Sequence, residues 1–484
     1  MEISNLSIAK DTLIYFLGSL IINCISFFLM PIYTRYMTPA DYGILGILTA
    51  FSSFVSIFVC LQLNSAIIRF YIELDEKHRR LYVGTMFIAV YIINFFICAI
   101  LLLVGYKFHG IFFRSAEVTF YPFYVWQLII IFLSQAWIFP SAIFKARQKP
   151  WHFAGVSLLG SGVGVLLTIY FVIIKEQAVR GVIFASLLSS GIMLLVNLLI
   201  TLHYASFKPL SINYIKKSLA FSLPLIPGMA SYSISSYADR FFLDRFKNIT
   251  DVGLFSFATG LLSPLQVLLF ALDAAIMPRF FTLMKQDIKG NEIKRIITLT
   301  IFCLGIILSG AVLFSRDIIK LADVKFLPSY NVIPIISLYW FIRYLQFYPR
   351  LTLLWNKKTI LLSYCDIVSV ITNLIFNLIM VPLYGMKGAA FSTLFSSICV
   401  LILALIFVKK YCILTYDSFS IGIIILATIG TVFLSPYFPL SWIPSFISKI
   451  IFITILFGTL MHFLKIIPLN ELIQLYKIRF RTNN

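Results

Sequence analysis

The sequence predicts an all-α integral membrane protein of about fourteen transmembrane helices, and three observations predict it. Of 484 residues, 60% are hydrophobic and only 12% charged, about half the charged share of a soluble domain. Apolar runs long enough to cross hydrocarbon succeed one another almost without interruption. The connections are short, the largest being the sixteen residues from 278 to 293, which leaves no room for a soluble catalytic domain.

A spanning helix needs about 20 mostly apolar residues, because a rise of about 1.5 Å per residue must cover roughly 30 Å. Runs of that kind lie near residues 12–34, 42–66, 82–105, 118–141, 153–174, 179–203 and 217–240 (spans 1 to 7). Spans 8 to 14 follow near 252–277, 294–314, 330–349, 360–382, 386–408, 419–435 and 447–466. Span 13 is the weakest, ending at Pro436 and Pro439. Span 1 is too long for a signal-peptide core and is expected to stay in the protein. The 48 Phe and 25 Tyr suit a lipid-facing surface with aromatic belts near the headgroups.

The net charge of +20 is spread over short connections and forms no single basic patch, which argues against nucleic-acid binding. Alternate connections hold 25 and 12 Lys and Arg residues, and the richer set belongs in the cytoplasm. Both termini are therefore expected to be cytoplasmic, in an inner membrane, with a basic tail after span 14. The seven cysteines include no C-x-x-C pair and the five histidines stand apart from one another, so neither a disulfide framework nor a metal site is indicated.

An internal repeat organises the chain. Arg35, Asp41 and Gly43 in RYMTPADYG recur 210 residues later as Arg245, Asp251 and Gly253 in RFKNITDVG. Arg69-Phe70 recurs at the same offset as Arg279-Phe280, and GVIFASLLSS from Gly181 matches GAAFSTLFSS from Gly388 at an offset of 207. Chance likeness among apolar helices would scatter; a common offset does not. Two six-helix bundles, 1–205 and 206–412, are expected around a pseudo-two-fold axis along the membrane normal, with 413–484 an appendix of two further helices.

Charge within a span costs several kcal/mol by most measures and usually faces protein or water. In span 10, Tyr339, Arg343, Gln346 and Arg350 fall on one helical face, and in span 11 so do Asp366, Ser369, Asn373 and Asn377. Span 7 aligns Gly228, Tyr232, Ser235 and Asp239, with Arg240 adjoining. Arg69, Arg279 and Arg350 lie at cytoplasmic helix ends, where lining a cavity and snorkelling to headgroups are both open. Asp239 and Arg240 are open to a coupling role or to an interfacial ion pair. Arg343 and Asp366 lie deeper, which favours a cavity role, with Asp366 as a resting partner for Arg343. Asp273 is expected to pair with Arg279 or another cation. The glycines of span 5 (Gly155, Gly160, Gly162, Gly164) are expected to serve close helix packing.

The segments TPADYGILGILTAF from Thr38, LNSAIIRFY from Leu63 and ADRFFLDRFKNITDVGLFSFA from Ala238, with the two-half plan, resemble the polysaccharide-flippase branch of the MOP superfamily, the Wzx-type O-antigen flippases. The resemblance covers spans 1 to 12. It implies transfer of an undecaprenyl-pyrophosphate-linked oligosaccharide from the cytoplasmic to the periplasmic leaflet by alternating access through a cationic cavity. It also implies coupling to H+ or Na+, no other cofactor, and work alongside a polysaccharide polymerase and chain-length proteins. Arg69 and the Asp239-Arg240 pair match recurring charged positions of that family; Arg240, Arg279, Arg343 and Arg350 join Arg69 as cavity candidates, and Asp239, Asp273 and Asp366 as coupling or charge-pair candidates. Relatives commonly have twelve spans, so spans 13 and 14 depart from the pattern.

A drug exporter of the same superfamily would prefer acidic cavities. A membrane-embedded glycan polymerase or ligase would need a long outer loop, and none exceeds about sixteen residues. The sequence therefore reads as a transporter and not as an enzyme.

Overall fold

The computed structural model describes residues 5–207, 210–285, 291–411, 417–438 and 442–464. The connection around Gly290 and the basic tail from 465 onward, both expected in the cytoplasm, lie outside the described residues. Those described are overwhelmingly helical, with no strand among them, and eleven helices are long and apolar enough to cross a membrane. Spans 1, 7 and 10 are the remaining three of the expected fourteen. Span 1 lies in the helix Asn5–Tyr36. Spans 7 and 10 are helical but interrupted.

The interruptions have local causes. In span 7, Ile212–Ser222 and Ile226–Phe246 are joined by a 3-10 turn at Leu223–Leu225, because Pro224 and Pro227 cannot donate to the helical ladder. In span 10, Ile333–Leu345 and Phe347–Trp355 meet at Gln346, where Pro349 leaves the Leu345 carbonyl without its helical donor. Both breaks fall in the spans that carry the polar stripes, which also lowers their hydropathy. Span 2 divides into Pro39–Cys60 and Leu63–Glu73 across Leu61 and Gln62, both left-handed at φ 44° and 55°, a costly conformation for residues with a Cβ.

Contacts group the chain into two compact units, one running to Gly260 and including Ser369–Thr393, the other comprising Leu261–Val368 and the chain from Leu394 onward. This grouping cuts across the boundaries at 205/206 and 412/413, which remain an expectation of the sequence repeat.

In the first unit, Leu63, Ile67, Tyr82, Met86, Phe139 and Ile143 share a buried core, and the Tyr82 hydroxyl meets Ser218 Oγ at 2.8 Å. The repeated motif proves to be a helix start. Thr38 and Asp41 form a reciprocal capping box ahead of Pro39–Cys60, and Asn248 Oδ1 accepts the Asp251 N–H at 2.8 Å. The two starts cross each other. A Cβ on Gly43 would stand 1.9 Å from the Ile249 carbonyl oxygen, and one on Gly253 would stand 1.7 Å from that of Pro39. At an offset of 210, Pro39 corresponds to Ile249 and Gly43 to Gly253, so the contact exchanges partners as a two-fold axis does.

The glycines of span 5 differ from expectation. Gly160 and Gly164 face side chains of span 6, Met193 and Ser189, whereas a Cβ at Gly155 or Gly162 would meet nothing within 4 Å. Only half of that string packs closely against a helix.

In the second unit, spans 13 and 14 dock on span 9. Ser309 Oγ meets Thr431 Oγ1 at 2.8 Å, Phe302 packs edge-on against Phe457, and the buried Lys449 ammonium of span 14 pairs with Asp317.

Candidate functional site

Among the described residues, each unit holds a polar constellation built from the stripes of its apolar spans. In the first, span 7 carries Asp239 into a fully buried position. Asn377 Nδ2 donates to one carboxylate oxygen at 2.7 Å and Thr393 Oγ1 to the other at 2.7 Å. Asn377 Nδ2 also reaches Asn373 Oδ1 at 3.1 Å, and one turn along, Ser235 and Ser369 hydroxyls stand 3.4 Å apart. The stripes of spans 7 and 11 thus meet face to face over Ser235/Ser369 and Asp239/Asn377. Thr393 of span 12 completes the group.

Asn377 Oδ1 is buried and has no donor among the described residues. A buried acceptor left unpaired is costly and calls for an explanation. Turning the amide over would aim that oxygen at the Asp239 carboxylate, which is worse, so the orientation is dictated by Asp239. Carboxylate, amide and hydroxyl oxygens gathered here, one of them without a donor, are the ligand types a hard cation prefers.

Arg240 does not share this site. Its Nε donates to Ser256 Oγ at 3.1 Å, Nη1 to the Ser236 carbonyl at 3.1 Å and Nη2 to Thr259 Oγ1 at 2.9 Å, with Tyr237 beneath the guanidinium. Adjacent positions leave a helix about 100° apart, so Arg240 turns to span 8 while Asp239 turns to spans 11 and 12. Of the two roles left open for them, an ion pair between Asp239 and Arg240 is absent among the described residues.

In the second unit, Arg343 is half-buried and its guanidinium donates to Gln346 Oε1 at 2.9 Å, the sole hydrogen bond it makes among the described residues. Gln346 is itself buried and fixed by Ser397, donating to the carbonyl at 2.7 Å and the hydroxyl at 2.8 Å. Asp273 feels the Arg343 charge, and its Oδ1 is buried without a hydrogen bond among the described residues. Asp366 is not the partner of Arg343 as expected. It pairs with Arg350 at 3.0 Å, since a helical stripe fixes the face a residue presents but not the residue opposite.

Arg69 and Arg279 are exposed. Arg69 pairs with Glu73 at 2.9 Å and lies over the Phe221 ring at 4.6 Å. Asn373, Asn377 and Thr393 gained no role from the sequence because they carry no charge, although two of them lay on a recognised stripe. Lys449, three positions into span 14 by the sequence count, was a visible signal that went unused.

Comparison with known proteins gives a consistent family. A protein of the Lsg locus of Haemophilus influenzae is 25% identical over 286 residues, covering 58% of this chain and 68% of its own. A second membrane protein of that organism is 22% identical over 300 residues, covering 60% of this chain and 69% of its own. Among solved structures, the lipid II flippase MurJ in an inward closed conformation aligns with a TM-score of 0.74 at 15% identity, over 93% of this chain and 98% of that one. An inward-facing multidrug resistance MATE family transporter of the MOP superfamily aligns at 0.60 and 15% identity, over 81% of this chain and 94% of that one. These structural likenesses show the fold that MurJ and the MATE transporter share. The family described as polysaccharide biosynthesis protein matches residues 8–284, more than half of the sequence, and the chain belongs to that family.

Proposed function

We propose that this chain is an inner-membrane flippase that carries a polyprenyl-pyrophosphate-linked oligosaccharide from the cytoplasmic to the periplasmic leaflet, by alternating access coupled to a cation. The observation that carries the proposal is Arg343. A guanidinium at membrane depth needs water, an acid or an anionic ligand, and this one is oriented by a buried glutamine yet keeps most of its donors uncommitted beside Asp273. A pyrophosphate is the anion such a fork recognises. Cargo of this kind requires a protein path, because moving one hydroxyl into hydrocarbon unpaired costs about 4 to 8 kcal/mol. Polymerase and chain-length proteins would then receive the product.

Asp239, with Asn377 and Thr393, is the proposed coupling site for H+ or Na+. A carboxylate held only by neutral donors changes its balance strongly when a cation arrives. An exporter of cationic drugs fits the MATE likeness, but the oriented arginine disfavours such cargo.

The test is restoration of surface polysaccharide in a flippase-deficient cell. Arg343→Ala should abolish export at near-normal protein level, and Arg343→Lys should restore it partly, keeping charge but losing the fork. Asp239→Asn should abolish the dependence of transport on the cation gradient in vesicles. Normal export by Arg343→Ala, or loss that merely tracks protein level, would remove the arginine from cargo binding.

A further inference from the structure

The connections between spans 2 and 3 and between spans 4 and 5 border an open pocket of about 540 Å³ in the first unit, at the face to which the Lys and Arg count assigns the cytoplasm. Its charged lining is Arg79, Arg147 and Lys149 against a single carboxylate, Glu76. Both guanidinium groups are held in place. Arg147 donates from Nε to the Tyr71 hydroxyl at 2.6 Å and from Nη2 to Glu76 at 2.7 Å, and it lies over the Tyr204 ring at 4.6 Å. Arg79 donates from Nε to the Tyr71 carbonyl at 2.7 Å and reaches Glu76 at 3.4 Å. One carboxylate is thus shared by two arginines, while Arg147 Nη1 and Lys149 Nζ take no hydrogen bond among the described residues.

A loop of solvated cations would not need this framework. Here the arginine side chains are only 30% and 26% exposed, stacked and hydrogen-bonded into one geometry before any ligand arrives, so little ordering cost is left for binding. Of the lining residues Ile72 is 58% exposed, and Trp151, two positions along the chain from Lys149, is 68% exposed; an exposed tryptophan close in sequence to basic residues suits the headgroup level of a bilayer. Fixed donors with an excess of two positive charges, opening beside apolar side chains, suit a phosphate attached to acyl chains.

We infer that this pocket binds the phosphate of an anionic lipid headgroup in the cytoplasmic leaflet, at a site separate from Arg343 and independent of the transported cargo. Lys149 supplies the uncommitted charge and Arg147 the fork. Free phosphate shares the chemistry, so the experiment separates the two sources.

The purified full chain in detergent is titrated with phosphatidylglycerol or phosphatidylcholine, and bound lipid is counted by native mass spectrometry. Wild type should retain phosphatidylglycerol over phosphatidylcholine several-fold. Lys149→Gln should cut that retention about five-fold, the effect of one basic residue near an anionic headgroup, and Lys149→Gln with Arg147→Lys should cut it further. Lys77→Gln, exposed on the same turn but outside the pocket, should leave it unchanged. The Lys149 ammonium makes no hydrogen bond among the described residues, so a matching unfolding midpoint is expected and keeps the result interpretable. Millimolar inorganic phosphate should displace the lipid. Equal losses from Lys77→Gln and Lys149→Gln would reduce the pocket to general surface charge and overturn the site. Phosphate binding that depends on Lys149, without selective retention of phosphatidylglycerol, would overturn the lipid assignment in favour of a soluble phosphate.

Discussion

Alanine at Gly253 should cost stability, and alanine at Gly43 should cost it through the same contact. A Cβ on Gly253 would stand 1.7 Å from the Pro39 carbonyl oxygen and 2.7 Å from the Gly43 nitrogen. Both are backbone atoms, so no rotamer change relieves the clash, and the two helix starts must part by about 1.5 Å to regain van der Waals separation. Overpacking of this kind costs about 1 to 3 kcal/mol, while alanine returns up to roughly 1 kcal/mol of helix propensity over glycine. The net expectation for either substitution is a loss of about 1 to 2 kcal/mol. Because the contact is reciprocal, one added Cβ opens the space the other needs. The double variant should therefore lose less than the sum of the singles, by about 1 kcal/mol. Unfolding of the purified protein in detergent measures all three, with Gly162→Ala, which meets nothing within 4 Å, as a control that should not destabilise. Additive losses, or a Gly253→Ala variant as stable as wild type, would refute the reciprocal crossing.

Three further outcomes are expected. Lys449→Met should destabilise by about 1 to 3 kcal/mol, because it leaves the partly exposed Asp317 carboxylate, with which Lys449 pairs, without its partner, whereas Lys449→Met with Asp317→Leu should recover most of that loss; a double variant as unstable as the single would show that the pair is not the cause. Reporter fusions after Asn213 and Tyr411 should read cytoplasmic and those after Lys107, Asn248 and Lys325 periplasmic, following the distribution of Lys and Arg; a periplasmic reading at Asn213 would reverse the topology. The Asp417 carboxyl, before span 13, is slightly buried, which alone would raise its pKa, but the Ser420 N–H and Lys294 outweigh this and hold it below the ordinary carboxylate range. Its contribution is present above the unfolded value of about 3.9 and lost as pH falls through the lower folded value, so Asp417→Asn should lower the melting temperature at pH 7 and make no difference near pH 2.

Hydropathy made the helices legible because every span must satisfy its backbone internally and present apolar side chains to lipid. The breaks in spans 7 and 10 were half legible: Pro224, Pro227 and Pro349 announce them, but the lengths of the flanking segments depend on packing. The polar stripes were legible as faces. Their partners were not, and Asp366 shows why: periodicity places it on the correct side of span 11, yet whether Arg343 or Arg350 lies opposite is set by the vertical offset of two helices, a quantity no single sequence contains. Neutral groups were least visible. Asn377 and Thr393 matter for what they donate to Asp239, and nothing in an amide or a hydroxyl at helical spacing separates that role from ordinary packing. The pocket around Arg147 depends on Tyr71 and Tyr204, which lie 133 positions apart.

Asp239 and Arg240 show how adjacent opposite charges can serve separate purposes. Had they paired, the helix would hold a neutral, closed ion pair with little response to solution conditions. Instead the arginine spends its Nε, Nη1 and Nη2 on Ser256, Ser236 and Thr259, and the carboxylate meets only neutral donors. A buried carboxylate without an ion-pair partner costs several kcal/mol; the neighbouring Arg240 charge offsets part of this, and a cation reaching the carboxylate would relieve more. The orphaned Asn377 oxygen adds to the same debt, since it too gains a partner only from a donor or a metal ion. Cation binding at Asp239 would thus be favoured by the very groups that make the empty site expensive. That is the property a coupling site needs: two states of comparable energy, differing in charge, whose balance an ion gradient can tip.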